Sequence, residues 1–104
     1  MSAIPTKARE TVWERQNRQC ARCGGRGYQI HHRQRRREGG HAVGNLVGLC
    51  RTCHEWCHKT PDSAKERGYI VGISVDEPSL VPIQTFMGLV LFDDDGAIHF
   101  TSEL

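Results

Sequence analysis

Two Cys-x-x-Cys pairs constrain this chain more than any other feature of its 104 residues. Cys20 and Cys23 form the first pair, and Cys50 and Cys53 form the second. Each pair can present two sulfur atoms from one tight turn, so two such turns complete the tetrahedral ligand set of a structural zinc site. Zinc binding of this kind is worth on the order of 10–16 kcal/mol in small peptides, which matches or exceeds the net stability of a domain. The spacing therefore predicts a structural Zn²⁺; four core or redox-active thiols are the alternative.

The small amount of apolar sequence also favours a domain that a metal supports. Only 38% of the residues are hydrophobic and 7% are aromatic, and the small core of so short a chain commonly needs a further cross-link. The sequence has no apolar run of about 20 residues and no stretch that resembles a signal peptide, so we expect a protein of the reducing cytoplasm with no membrane partner. Cysteines in that compartment more often bind metal than form disulfides. The fifth cysteine, Cys57, is expected to be a small buried side chain, with a ligand or reactive role as the alternative.

The formal net charge of +2 conceals a strong asymmetry between the two parts of the chain. Residues 1–60 carry twelve Lys and Arg against four Glu, whereas residues 61–104 carry two Lys and Arg against eight Asp and Glu. A basic segment of this density is typical of a surface that binds a polyanion such as a nucleic acid, although a merely solubilising surface is the alternative. The acidic segment argues against phosphate contacts from residues 61–104.

Helix and turn signals divide the chain into short elements. Thr6 is a candidate cap for a first helix, Thr60-Pro61 begins another helix with Thr60 as its cap, and Gly68 ends it. An Asp-Gly turn supports a hairpin near the C-terminus. The elements predicted are a helix at 7–19, strands at 28–32 and 45–49, a helix around 54–58, a helix from 61, and a hairpin of 84–92 and 97–101 around a turn at 93–96. The predicted fold class is small α+β, with one unit at 1–68 and an acidic C-terminal extension at 69–104, a β-hairpin packed on or beside that unit.

A second set of side chains lies between the cysteine pairs and just after them. His31 and His32 are consecutive on the predicted strand, and His54 directly follows the last cysteine of the second pair. Neighbouring strand residues face opposite ways, so only one of the two histidines can easily bind a given ion together with His54. The other histidine remains nearby as a candidate base, because an imidazole can take a proton from water at neutral pH.

In chain order, the whole motif is Cys20-x-x-Cys23, His31-His32, Asn45 and Cys50-x-x-Cys53-His54. This pattern resembles the zinc-containing HNH endonuclease family, and the Gly39-Gly40 pair and the Asn45-Leu-Val sequence resemble its phage-encoded members in particular. The likeness covers residues 20–58 and continues more weakly to Val71. It implies a zinc-bound ββα-metal, or treble-clef-like, unit, so that residues 1–68 would be an HNH nuclease domain.

The resemblance implies a role for each matching residue. His32 would be the general base that activates the attacking water, and Asn45 would orient the loop that carries His32 through backbone hydrogen bonds. His31, where many members have Asp, would bind a catalytic divalent ion together with His54. The ion would contact the scissile phosphate and stabilise the leaving 3′ oxygen, so that hydrolysis leaves a 5′ phosphate and a 3′ hydroxyl.

The identity of the catalytic ion is left open among Mg²⁺, Mn²⁺, Ni²⁺, Co²⁺ and Zn²⁺. Two imidazoles, from His31 and His54, suit the last four ions better than a carboxylate site does, whereas Mg²⁺ prefers oxygen ligands. His58 lies four residues after His54, on the same helical face, and is a candidate third ligand, with a solvent-facing histidine as the alternative. His41 and His99 are expected to be surface residues.

Four arginines that follow the histidine pair are the candidate nucleic-acid contacts: Arg33, Arg35, Arg36 and Arg37. A planar guanidinium suits phosphate, and Arg36 matches an arginine that the family often places shortly after its histidine pair, where it would steady the scissile phosphate. A solvated basic loop is the alternative. Further sequence-independent phosphate contacts are expected from Lys7, Arg9, Arg15, Arg18, Arg22, Arg26 and Arg51.

The sequence, with the resemblance, thus predicts a metal-dependent DNA endonuclease that nicks or cleaves double-stranded DNA. Weak sequence preference is expected because no second DNA-reading element is evident. The resemblance also implies a task in phage DNA processing or packaging, with packaging proteins as partners and the host cytoplasm as the location. The alternative is a non-catalytic, zinc-finger-like module that binds nucleic acid, which would not need His32 or Asn45. A thiol redox protein is disfavoured because no βαβ pattern surrounds the cysteine pairs.

Overall fold

The computed structural model describes residues 4–35 and 40–102, which form a small α+β protein. The predicted fold class is therefore confirmed at this level. The helices and strands, in chain order, are α1 (Thr6–Arg15), β1 (Gln29–His32), β2 (Leu46–Leu49), α2 (Arg51–Lys59), α3 (Pro61–Glu66), β3 (Ile83–Thr85), β4 (Gly88–Phe92) and β5 (Ile98–Phe100). Within the two described ranges, no helix is both long enough and apolar enough to cross a membrane.

An antiparallel pair of strands followed directly by a helix forms the centre of the protein. β1 pairs with β2 so that His31 lies opposite Val47 and His32 lies opposite Leu46. Every residue of β2 is buried, and α2 begins two residues after β2 ends. The short connection between them brings the start of α2 close to β1, and α2 packs against both strands.

The two faces of β2 are covered by different parts of the protein. Leu46 packs with buried residues of α1, whereas Val47 and Leu49 belong to the main core. The ring of Trp13 lies over Gly48, where a Cβ atom would come within 2.3 Å of it. Gly48 therefore lets α1 approach the strand closely, and burial on both faces explains why β2 is apolar without alternation.

Helix α1 differs from its sequence prediction at both ends. It begins at Thr6 itself, so Thr6 is not its cap, and it ends at Arg15 instead of residue 19. Asn17 and Arg18 have φ angles of 52° and 59°. This left-handed conformation cannot continue a right-handed helix, and it turns the chain towards the first cysteine pair.

Helix α3 begins and ends close to its predicted limits, with one difference in capping. Thr60 is the N-cap residue of α3, as predicted, but its hydroxyl donates to the carbonyl of Trp56 at 2.8 Å and makes no capping hydrogen bond. Gly68 has a φ angle of 87°, and its N–H and that of Tyr69 donate to the last carbonyls of the helix. A Cβ atom on Gly68 would lie 2.1 Å from the carbonyl oxygen of Pro82, so glycine is required there for both conformation and space.

The C-terminal part of the chain forms a three-stranded antiparallel sheet in the order β3-β4-β5. β4 and β5 form the predicted hairpin, and the Oδ1 atom of Asp93 accepts the N–H groups of Asp95 and Ala97 in its turn. The sequence did not predict β3 as a separate strand. A three-residue strand is too short for its apolar alternation to be recognised.

This sheet shares its core with the cysteine-bearing part of the chain. Ile83, Val90 and Phe92 are fully buried in the same apolar cluster as Cys20 and Leu49. The residues after 68 therefore pack directly on the rest of the protein.

Arg33 lies at the centre of this packing, which corrects the prediction that it contacts nucleic acid. Only 2% of its surface is exposed. Its guanidinium donates to four backbone carbonyls, those of Gly44, Gly68, Pro78 and Val81, at distances of 2.7 Å to 3.0 Å. Burial lowers the pKa of Arg33 to about 10, so the side chain remains charged at neutral pH. Arg33 therefore joins β1 to the C-terminal part of the chain and is not available to phosphate.

Replacing Arg33 by Met is expected to destabilise the protein by about 3–5 kcal/mol, because two buried and two partly buried carbonyl groups would lose a charged donor. The free energy of unfolding, measured by urea denaturation, checks this value. The exposed neighbour Arg35 provides the matched control, since Arg35→Met should change stability by no more than about 0.5 kcal/mol. Equal stability of the two variants would contradict the structural role of Arg33.

Candidate metal centre

Four cysteines converge near the start of α2. The Sγ atoms of Cys20, Cys23, Cys50 and Cys53 all lie within 4.8 Å of one another. The first two come from the turn after α1, Cys50 caps α2, and Cys53 lies in the first turn of that helix. The prediction that the two pairs form one cluster is confirmed, and this cysteine cluster can hold a metal ion such as zinc.

The donor chemistry of the cysteine cluster fits zinc. The Sγ atoms of Cys23 and Cys50 are 3.8 Å apart, and two thiolates on a tetrahedral ion with Zn–S bonds of about 2.3 Å have a separation of about 3.8 Å. The N–H groups of Gly25 and Cys53 donate to these two sulfur atoms, each at 3.4 Å. Burial raises the pKa of Cys53 far above its ordinary range, so a thiolate at this position needs a cation beside it.

Arg22 and Arg15, which were predicted as phosphate contacts, are partly buried and have partners within the protein. The guanidinium of Arg22 lies 3.8 Å from the centre of the Trp56 ring, and it donates to the Sγ atom of Cys53 at 3.5 Å. The guanidinium of Arg15 lies 3.7 Å from the centre of the Phe92 ring and donates to two backbone carbonyls. The other predicted phosphate contacts are exposed: Lys7, Arg9, Arg18, Arg26 and Arg51.

Three histidines form a second cluster beside the first. One nitrogen from each of His31, His54 and His58 lies within 4.8 Å of the others, and the ring centroids are 5.0 Å to 5.9 Å apart. β1 supplies the first of these residues, and α2 supplies the other two from positions one helical turn apart. The structure thus brings the two predicted ligands together with the candidate third ligand, and this histidine cluster can also hold a metal ion.

Hydrogen bonds to two of the rings determine which nitrogen carries the lone pair. Nε2 of His31 lies 2.7 Å from the carbonyl oxygen of Tyr69. A carbonyl only accepts, so Nε2 carries the hydrogen and Nδ1 has the lone pair. Nδ1 of His54 donates to Oε1 of Gln29 at 2.7 Å, which leaves the lone pair on Nε2. Metal-binding histidines commonly have such an acceptor on the second ring nitrogen, because it fixes both the tautomer and the ring orientation.

Replacing Gln29 by Leu is expected to weaken metal binding at the histidine cluster by about 10-fold to 100-fold, because His54 loses the acceptor that orients it. Gln29→Glu keeps an acceptor and should bind metal at least as tightly as the wild type. Titration calorimetry with Mn²⁺, on protein already loaded with zinc at the cysteine cluster, measures the difference. Gln84→Leu, an exposed substitution on β3, is the control and should leave the affinity unchanged. An unchanged affinity in Gln29→Leu would rule out the orienting role.

Acid should destabilise the protein through His31. Burial lowers the pKa of this imidazole to about 4, and the hydrogen bond to Tyr69 only partly opposes the shift. An unfolded histidine titrates near about 6.5, so the unfolded chain binds more protons between these two values, and stability is lost as the pH falls through this window. The loss between pH 7.5 and 5.5 should be about 1 kcal/mol in protein without an ion at the histidine cluster. Urea denaturation of His31→Gln should show a shallower pH dependence; an identical slope would exclude His31 as its source.

His32 is not part of the histidine cluster. Its Nε2 atom lies 3.2 Å from Nδ1 of His41, and the two share a hydrogen bond. His41 was predicted to be a surface residue; it is partly buried, and its ring contacts that of His32. His31 and His32 nevertheless line the same groove, which has a volume of about 650 Å³.

Asn45 holds the chain that follows His32. It is buried, and its Oδ1 atom accepts the N–H of Gln34 at 2.8 Å. Its Nδ2 atom donates to the carbonyls of Gln34 at 3.2 Å and of Gly40 at 3.0 Å. One buried amide therefore binds the backbone on both sides of residues 36–39, and these are contacts of the kind that the resemblance implies for Asn45.

The candidate nucleic-acid arginines have different environments. Arg35 is exposed and lines the groove beside the histidines. Arg33 is buried, as described above. Arg36 and Arg37 lie outside the described residues.

Sequence reasoning missed three groups that contact the histidines: the amide of Gln29, the carbonyl of Tyr69 and the ring of His41. A signal existed only for Gln29, which lies two residues before His31 and therefore on the same face of β1. Tyr69 and His41 are both separated in sequence from the histidines that they contact, so no local pattern indicates either contact.

Comparisons of the chain with protein-family models, with curated proteins and with solved structures found no match in any of the three.

Proposed function

We propose that this chain is a metal-dependent DNA endonuclease of the HNH type and that its cysteine cluster holds a structural Zn²⁺. The observation that carries the proposal is a cluster of three imidazoles with a fourth imidazole, that of His32, on the same groove. The β1–β2 pair followed by α2 supports the assignment of a ββα-metal unit. Metal-dependent phosphodiester hydrolysis by a general base needs a cation site and a proton acceptor near one phosphate, and these side chains are of the required types.

In this proposal His31, His54 and His58 hold a divalent cation. Burial lowers the pKa of His31 to about 4, so its imidazole is neutral at physiological pH and can act as a ligand. When bound, the cation supplies Lewis-acid stabilisation to the scissile phosphate and the leaving 3′ oxygen. A donor set of three imidazoles favours Mn²⁺, Co²⁺, Ni²⁺ or Zn²⁺ over Mg²⁺.

His32 is the proposed general base, and its imidazole takes the proton of the attacking water. Its hydrogen bond with His41 and the contacts of Asn45 with the following backbone restrain its position. Arg35 binds phosphate at the edge of the groove, and Arg36 remains the proposed partner of the scissile phosphate. A task in phage DNA processing or packaging, packaging proteins as partners and a cytoplasmic location belong to the same proposal and rest on the sequence resemblance.

Incubation of the purified chain with supercoiled plasmid tests the proposal. Nicked or linear plasmid is expected with one or more of Mg²⁺, Mn²⁺, Ni²⁺, Co²⁺ and Zn²⁺ and not with EDTA, and His54→Ala and His58→Ala should require higher ion concentrations. Duplex binding is measured in parallel by fluorescence anisotropy. If the chain binds the duplex but cleaves no DNA with any of these ions, the proposal of nuclease activity is overturned. The non-catalytic nucleic-acid-binding module is then favoured.

A further inference from the structure

The groove beside the histidines has two chemically different walls. Imidazoles and the exposed guanidinium of Arg35 form one wall. The other wall consists of segment 70–73, which contains Ile70, Val71 and Ile73 and carries no charge. This segment belongs to the acidic part of the chain, for which the sequence predicted no phosphate contacts. The groove can therefore receive a ligand that is anionic at one end and apolar at the other.

Hydrogen bonds join segment 70–73 to the backbone that follows the histidine pair. The N–H of Val71 donates to the carbonyl of Arg33 at 2.8 Å. The side chain of Gln34 donates to the carbonyls of Gly72 at 2.9 Å and of Val75 at 2.7 Å. Both residues that make these contacts follow directly after His32. The apolar wall is thus attached to the same stretch of backbone as the proposed base.

Ile73 differs from its neighbours in this wall because its side chain is not used by the core. It is 62% exposed, whereas Val71 is buried and Ile70 packs against the main core. Leu80 is an aliphatic residue of similar exposure, 66%, but it does not line the groove. Ile73 can therefore gain apolar contact from a ligand in the groove, and Leu80 cannot.

We propose that Ile73 packs against the nucleoside next to the scissile phosphate, so that segment 70–73 is part of the DNA-binding site. This inference rests on the proposed function. A nucleotide has the two required ends, because its phosphate carries the charge and the faces of its sugar and base are largely apolar. The contact is made equally to substrate and transition state, so it contributes to binding and not to the chemical step.

Cleavage kinetics of a short DNA duplex, with the ion that gives the highest plasmid activity, test this inference. Ile73→Ser should raise KM by about 5-fold to 10-fold, as expected for the partial burial of one aliphatic side chain, and leave kcat unchanged. Ile73→Val should change KM by less than 3-fold. Leu80→Ser removes an equally exposed aliphatic side chain away from the groove and should have wild-type constants. Equal KM values for Ile73→Ser and Leu80→Ser would overturn the inference while leaving the proposed function intact.

If the proposed function itself is wrong, the experimental result is different, because the wild type then cleaves no DNA with any ion. Duplex affinity, measured by fluorescence anisotropy, decides the inference in that case. A Kd for Ile73→Ser that is at least 5-fold weaker than that for Leu80→Ser would support the contact, and equal affinities would overturn it. Both positions are exposed, and matching thermal transitions of the two variants verify that neither change alters the fold.

Discussion

Loss of the metal from the cysteine cluster is expected to unfold the protein. Zinc binding to four thiolates is worth on the order of 10–16 kcal/mol, and the net stability of a small domain is about 5–15 kcal/mol. The cluster also joins the turn that contains Cys20 to the start of α2, and both Cys20 and Cys53 are part of the main core. Circular dichroism during titration with a zinc chelator should therefore show a cooperative loss of structure that added Zn²⁺ reverses.

The substitution Cys23→Ser separates the effect of the metal from that of packing. Cys23 is exposed, so replacing it removes no core contact, yet we expect the variant to lose bound zinc and its thermal transition. Cys57→Ala is the matched control, because Cys57 is fully buried but lies outside the cluster. It should keep its zinc and lose only about 1–2 kcal/mol of stability. A Cys23→Ser protein with wild-type zinc content and thermal midpoint would refute a structural zinc site.

Replacing His32 by Ala is expected to lower the rate of DNA cleavage by about 100-fold to 10,000-fold, the usual contribution of a general base. The three residues of the histidine cluster are unchanged in this variant, so its affinity for Mn²⁺ should remain within about 3-fold of the wild-type value. Duplex binding should also be retained, since Arg35 and the exposed basic residues are still present. Single-turnover cleavage, calorimetry and fluorescence anisotropy measure these three quantities separately.

His99→Ala is the matched control for this experiment. His99 is exposed on β5 and contacts Asp93 at 2.6 Å, within the hairpin and away from the groove. We expect the variant to cleave DNA at the wild-type rate. Cleavage by His32→Ala at the same rate as His99→Ala would exclude His32 as the base, and a parallel loss of metal affinity in His32→Ala would assign it a structural role instead.

Both candidate metal-binding clusters could be predicted because each depends on short-range geometry. A Cys-x-x-Cys turn places two sulfur atoms together, residues four apart such as His54 and His58 share a helical face, and neighbours such as His31 and His32 face opposite sides of a strand. The cysteine cluster then brings the strand and the helix close together. These relations hold wherever the turn, the helix or the strand forms, so the residues alone indicated them.

The errors at the candidate site concern residues whose environment depends on distant parts of the chain. Arg33 belongs to a run of similar arginines, and nothing local distinguishes it from Arg35. It is buried because the carbonyls of Gly68, Pro78 and Val81 surround it, and these lie 35 to 48 positions later in the chain. The contact between His32 and His41 likewise depends on where the fold places His41 relative to β1.

The sequence by itself therefore determined the ligand types, their spacing and the elements that carry them, because turn chemistry and the periods of helix and strand are local properties. Only the tertiary structure decided which arginines are exposed, which acceptors orient His31 and His54, and that segment 70–73 forms a wall of the groove. Those features arise from long-range packing, in which backbone carbonyls and apolar side chains from separate segments come into contact. No local sequence pattern predicts such contacts.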